Sequence, residues 1–234
     1  MNSKTLRTIL LLTANGFAVV LSAQDTSPAA GSLSDPQSLR VPRTPIHTMA
    51  SDEGLAYGIW AAGADYKASF HDGATFVPYL GKDYPRNQSL RWSTSSARIG
   101  ELELRTHAPR LSHTDFRAEY DLGGIVEAYD VRDEGLEQTF VLRARPAATG
   151  DLIITGAIDT ALHAMGGEAG PQGIVFVDDS GRQILNYGAA TAIDARGNSM
   201  AMRTTLVDGE ISLRLDGNWL ANAAFPVTVD PLPA

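Results

Sequence analysis

From about residue 54 onward the chain reads as short runs in which apolar and polar positions alternate, broken by Gly-containing turns. In Ile211-Ser212-Leu213-Arg214-Leu215 the apolar side chains share one parity and Ser and Arg take the other. That period of two is the mark of a strand with one face in a core. Phe140, Leu142 and Ala144 alternate with Val141 and Arg143 in the same way, and the unbroken Ile174-Val175-Phe176-Val177 fits a strand covered on both faces. Turn markers recur at His71-Asp72-Gly73, Asp178-Asp179-Ser180-Gly181, Asp194-Ala195-Arg196-Gly197, Asp208-Gly209 and Asp216-Gly217. Asp-Gly reaches positive φ at little cost, so these are predicted to be tight hairpins. No stretch beyond the first 23 residues sustains helical spacing with a cap at each end. The nearest, Thr160 to Met165, is about one turn and is halted by Gly166-Gly167. The predicted fold class is therefore all-β, an antiparallel two-sheet sandwich, including arrangements with two sub-sheets or a supersandwich-like form. It forms one domain with no internal repeat.

The first residues follow a different pattern. Lys4 and Arg7 precede an uncharged stretch from Thr8 to Val20 that carries Ile9, Leu10, Leu11, Leu12, Phe17, Val19 and Val20. Leu21-Ser22-Ala23 supplies small residues before Gln24. This is the three-part pattern of a signal peptide over residues 1–23, predicted as a helix. The run is shorter than the roughly 20 apolar residues of a spanning helix, and Asn15 and Gly16 interrupt it. Gln24 stands where a lipoprotein box carries its acceptor cysteine, so no acylation is expected there. Residues 24–50 shift to Ser, Pro, Asp, Gln and Ala with four prolines, the composition of a flexible linker. A first short element is expected near Ile46, and the all-β domain is drawn over 51–234.

Composition narrows the partners. With no cysteine, disulfides and thiolate metal sites are excluded. A domain near this size buries a sufficient core without them. Removing Lys4 and Arg7 with the leader takes the net charge from −8 to about −10. Nucleic acid, whose affinity rests on Lys and Arg contacts to phosphate, is not an expected partner. Neither is an anionic membrane surface, and no membrane insertion is expected after cleavage.

The search for chemistry returns little. Gly-x-Ser-x-Gly is absent, and Ser93, Ser95 and Ser96 read as a polar cluster. His47, His71, His107, His113 and His163 lack metal-ligand spacing; His113 and Asp115 are two apart, with His107 upstream, which falls short of a metal site. The turn aspartates do not match a calcium loop, so neither metal nor cofactor is expected. Glu119, Glu127, Glu134 and Glu137 are the carboxylates a glycoside hydrolase would need in pairs, but as strand-flanking charges they belong on a solvent face. Tyr57, Trp60, Tyr66, Phe70, Phe76, Tyr79 and Tyr84 crowd into one stretch, with Trp92 just beyond. As an exposed row, Tyr57, Trp60, Tyr66, Tyr79 and Trp92 would form a sugar-stacking site; as buried rings they would fill the core, which is the expected role.

Three motifs resemble one family. Glu119 to Leu142, with Gly135-Leu136-Glu137-Gln138-Thr139-Phe140, is similar to the segment ending in Gly-Leu-Glu-Gln-x-Phe of large bacterial secreted proteins. Gly173 to Gly197 resembles the hairpin that follows it there. Phe225-Pro226-Val227-Thr228-Val229-Asp230-Pro231 looks like the motif that closes the domain. In that group the domain precedes FG-GAP (integrin-like) repeats, and a related closing motif occurs in Rhs-type and DNRLRE-type surface proteins. The motif residues read as structural. Gly135 and Gly181 would relieve turns, Phe140 would face a core, and Pro226 and Pro231 would bracket a short strand and stop pairing at an edge, with Glu137 and Asp230 completing the motifs. The resemblance implies a module of the cell surface with no carried-over catalytic residues.

The expected function is thus an exported, non-enzymatic structural or adhesion-type interaction domain, extracellular or periplasmic, with surface proteins or glycans as partners. A carbohydrate-binding module on the Tyr57 to Trp92 aromatics is the alternative, and a hydrolase with unrecognised carboxylates the third. If the leader is cleaved as its pattern predicts, intact-mass analysis of the exported protein will find a chain starting at Gln24. A product retaining Met1 would contradict the prediction.

Overall fold

The computed structural model describes residues 43–48, 58–79, 81, 88–170 and 173–231. The leader, Gln24, the linker up to residue 42, Tyr57 and Tyr84 lie outside the described residues. In chain order, β1 (Ile59–Ala62), β2 (Tyr66–His71), β3 (Gly73–Pro78) and β4 (Leu90–Ile99) are successive antiparallel neighbours, and β5 (Leu102–Glu103) folds back on β4. β6 (Arg105–His113), β7 (Arg117–Gly123), β8 (Val126–Arg132) and β9 (Gly135–Leu142) form a meander. Next come β10 (Leu152–Thr160), β11 (His163–Gly170), β12 (Gly173–Val177), β13 (Gln183–Tyr187), β14 (Ala190–Ile193) and β15 (Ser199–Ala201). β16 (Arg203–Val207), β17 (Glu210–Leu215), α1 (Gly217–Asn222) and β18 (Val227–Pro231) complete the described chain.

These strands make two antiparallel sheets, the all-β two-sheet sandwich that the alternation predicts. The 11-stranded sheet runs β1-β2-β3-β4-β10-β17-β16-β11-β12-β13 with β5 beside β4; the 7-stranded sheet runs β15-β14-β18-β9-β8-β7-β6. Alternation decides which face of each strand is inside. In β17, Ile211, Leu213 and Leu215 are buried while Glu210 and Arg214 are exposed. In β9, Leu136, Gln138, Phe140 and Leu142 share the inner parity. Aromatic pairs span the layer: Phe70 lies 5.6 Å from Tyr129, and Trp92 6.0 Å from Phe140.

The larger sheet curls. Trp92 on β4 and Tyr187 on β13, six places apart in strand order, stack at 5.3 Å with planes 4° apart. Where the register shifts between Thr155 and Gly156 of β10, Ser95 is an extra residue on β4, and this bulge bends the sheet. At Gly156 a Cβ would sit 2.2 Å from the Trp92 ring, so the indole takes the space that any other residue would need.

The turn chemistry explains the connections. Asp208 (φ 50) and Gly209 (φ 78) both take positive φ, which suits a two-residue hairpin joining β16 to β17. The β12–β13 and β14–β15 turns share one device. Asp178 Oδ1 accepts from the amides of Ser180 and Arg182, and Asp194 Oδ1 from those of Arg196 and Asn198. In each, the glycine three residues on sits at φ 81 and returns its N–H to the aspartate carbonyl at 2.9 Å. Asp216-Gly217 departs from the prediction. It opens α1, with Asp216 Oδ1 capping the amides of Asn218 (2.8 Å) and Trp219 (3.0 Å). An aspartate before a turn serves a helix cap as readily as a hairpin.

Two further expectations are corrected. Gly135 begins β9 without positive φ, so it does not relieve turn strain as Gly181 does. Pro226 and Pro231 do bracket β18, with Phe225-Pro226 in cis, but β18 pairs with both β14 and β9 and is not an edge. The prolines lie at its ends, so the ladder amides between them remain available.

Residues 43–48, which the composition assigns to the linker, are joined to the β-domain. Main-chain bonds tie residues 43–48 to it: Thr44 N–H to Val131 O (3.3 Å), Ile46 N–H to Asp115 O (2.7 Å), and a reciprocal pair between His47 and Trp60. Thr44 also donates its hydroxyl to Asp133 Oδ1 at 2.9 Å. Backbone pairing holds this stretch in place, with Thr44 buried and Ile46 packed against the core.

Phe140 is fully buried where the two sheets meet. Phe140→Ala is expected to cost about 3–5 kcal/mol, read as a lower urea midpoint with an unchanged m-value.

Candidate binding site

Among the described residues, a polar cluster centred on Glu127 lies in the inter-sheet space. On β8, Glu127 shares the inner parity with Tyr129 and Val131, and it is 2% exposed. Thr94 on β4 donates its hydroxyl to Glu127 Oε2 at 2.7 Å and accepts from Trp92 Nε1 at 2.9 Å. Tyr129 donates its hydroxyl to Glu127 Oε1 in a short contact. Gln138 Nε2 donates to the same oxygen at 3.0 Å and to the Tyr129 hydroxyl at 2.9 Å. Tyr187 donates to Gln138 Oε1 at 2.9 Å. Trp92, Thr94 and Tyr187 belong to the larger sheet, and Glu127, Tyr129 and Gln138 to the smaller, so the network stitches the layers together.

None of these partners is a cation. Burial pushes the Glu127 carboxyl above its ordinary range, and the bonds from Tyr129, Thr94 and Gln138 pull it back only in part. Burial and the nearby Glu127 charge hold the Tyr129 and Tyr187 hydroxyls well above a normal phenol. Both therefore stay protonated as donors.

Beside the network lies a cleft of about 280 Å³, close to the lower end of small-ligand pockets at roughly 300–1,000 Å³. Phe76, Leu90 and Trp92 line it from the larger sheet, as do Leu185 and Tyr187 on β13, which the curl brings round. Tyr129, Leu136 and Gln138 line it from the smaller sheet. Arg132, Glu134 and Glu137, at the turn between β8 and β9, line it as well. Arg132 pairs with Glu137, while exposed Glu134 makes no ion pair among the described residues. Burial holds Glu137 and Asp230 above the usual carboxylate range despite Arg132. Asp230 precedes Pro231, also a lining residue, and its buried Oδ1 has no hydrogen-bond partner among the described residues.

The aromatic residues singled out from the sequence are dispersed. Tyr66 and Trp92 are 2% and 3% exposed, Trp60 is half-buried against His47, and Tyr79 is exposed. They do not form one exposed row. Tyr66 gives its hydroxyl to the Arg132 carbonyl, and burial pushes its pKa up to about 12.

The four carboxylates also separate. Glu119 pairs with Arg117 at 2.8 Å on the outer face of the smaller sheet, and Glu127 is buried between the sheets. Only Glu134 and Glu137 line the cleft. The side chains of Asp178, Asp194 and Asp216 are occupied by donors: Asp194 accepts from four N–H groups, which lower its pKa to about 2. An oxygen saturated by N–H groups is not presented to a cation. Among the described residues no group of three or more His, Asp or Glu side chains is placed to hold a metal. No helix among them is long and apolar enough to cross a membrane.

Sequence reasoning assigned Glu127 to a solvent face and passed over Gln138. The available signal was parity: each sits on the apolar parity of its strand, and β8 and β9 are adjacent. Comparison with known protein families, curated proteins and solved structures found no match for this chain.

The folded protein keeps a proton on Glu127 to higher pH than the unfolded chain, whose Glu titrates near about 4.3. Stability contributed by this group is therefore complete below that value and declines as pH rises through the raised folded value. Glu127→Gln removes the titration. In urea unfolding between about pH 4 and about pH 8, wild type should lose stability relative to the variant as pH rises. A constant difference would show that Glu127 has an ordinary pKa.

Proposed function

We propose that this is an exported, non-enzymatic interaction domain that holds a small ligand in the inter-sheet cleft. The observation that carries the reading is the cleft itself, an aromatic-lined space between the sheets whose inner polar groups are already bonded to one another. Export follows from the leader pattern at residues 1–23. A surface role is supported by the three ordered motifs that resemble the domain preceding FG-GAP repeats.

The same saturation favours binding over catalysis. Glu127 lies behind the cleft wall with both oxygens accepting, so it offers neither a reachable acid nor a reachable base. Glu137 is engaged by Arg132. A general acid or base must come within hydrogen-bond reach of the proton it moves.

Leu185 is a half-buried lining residue, and Leu185→Trp puts an indole into the cleft. A small-molecule and glycan screen on the full chain should give ligands that the variant loses by about 10-fold or more, with no turnover of what is bound. Ligands retained by Leu185→Trp but lost in Tyr79→Ala would move the site to the exposed surface and favour the carbohydrate platform instead.

A further inference from the structure

The lining of the cleft selects among ligands, and three features point the same way. Four aromatic rings, Phe76, Trp92, Tyr129 and Tyr187, contribute to it. Their polar atoms are spent: the Trp92 N–H on Thr94, the Tyr129 hydroxyl on Glu127, and the Tyr187 hydroxyl on Gln138. A sugar would trade its hydrogen bonds to water for a wall with little left to offer, at a cost per buried hydroxyl. The charge at the turn end is negative. Glu134 has no ion pair among the described residues, Arg132 is already held by Glu137, and Asp230 adds a further carboxyl beside them. A carboxylate or phosphate ligand would meet like charge there.

A cation with an apolar exterior satisfies all three conditions. Aromatic rings attract it through their quadrupoles, the carboxylates attract it through charge, and a quaternary nitrogen brings no N–H that needs an acceptor. We propose that the cleft binds a quaternary ammonium ion, with Trp92 and Tyr187 in its aromatic wall and Glu134 supplying the countercharge. The inference rests on the cleft being the ligand site. A volume of about 280 Å³ has room for a trimethylammonium group and a short tail.

The test is calorimetric titration of the full chain with choline and with 3,3-dimethylbutan-1-ol, which has the same shape without the charge. Choline should bind roughly 10-fold or more tightly than the alcohol. Glu134→Gln, at an exposed turn, should weaken choline several-fold and leave the alcohol unchanged. Leu185→Trp should abolish both. Equal binding of the two probes, insensitive to Glu134→Gln but lost in Leu185→Trp, would overturn the cation inference and leave the cleft reading standing. Choline binding that survives Leu185→Trp would overturn both. Failure of choline to bind wild type would overturn the inference alone, because the broader screen still decides the cleft.

Discussion

A carboxyl group with no cation beside it stays between two sheets only if donors meet it from every side. Glu127 is held in that way, by Thr94 from one sheet and by Tyr129 and Gln138 from its own. The arrangement acts as a registration device. Sliding one sheet over the other by a single residue would carry Thr94 away from the carboxyl and leave both short of a partner, while Tyr129 and Gln138 move with Glu127. Apolar contacts alone tolerate small shifts because they lack direction. The hydrogen bonds fix one position, and Phe70 on Tyr129 and Trp92 on Phe140 then pack around it.

The curl of the larger sheet follows a related logic. A long sheet either flattens, splits or curls. Here Gly156 admits the Trp92 indole, the bulge at Ser95 on β4 adds local bend, and Tyr187 closes onto Trp92 from β13. Tyr187 then joins the Glu127 network through Gln138. Closure of one sheet and attachment of the other thus share residues. The cleft forms beside that junction, where β3, β4 and β13 face β8 and β9 and no further side chain among the described residues fills the gap.

Much of this architecture was legible in the chain. Alternation placed Ile211, Leu213, Leu215, Phe140 and Leu142 correctly because burial of one face is a local property of a strand. Turn markers worked wherever the aspartate and glycine served a hairpin, and failed at Asp216-Gly217, where the same residues cap a helix. The polar cluster was harder, since Glu127 reads as a solvent-facing charge until its partners on other strands are known. Its donors lie 33 residues away at Thr94 and 11 at Gln138, and no local pattern joins them. The same limit applied to the aromatics. Trp92 and Tyr66 could be recognised as core rings, but that Trp92 would meet Tyr187 depends on the curl.

In the ligand-binding reading proposed above, saturation of the wall connects the scaffold to recognition. Each polar group committed to holding the sheets is withdrawn from any ligand, so what remains for recognition is ring surface and long-range charge. That combination discriminates by charge and shape more than by hydrogen-bond pattern. Charge acts at a distance and needs no fixed geometry, which suits an exposed turn residue such as Glu134. Rings held rigid by stacking require no reordering when a ligand arrives, so less entropy is lost on binding. A fold that spends its buried hydrogen bonds on its own registration is therefore predisposed to ligands that ask for none.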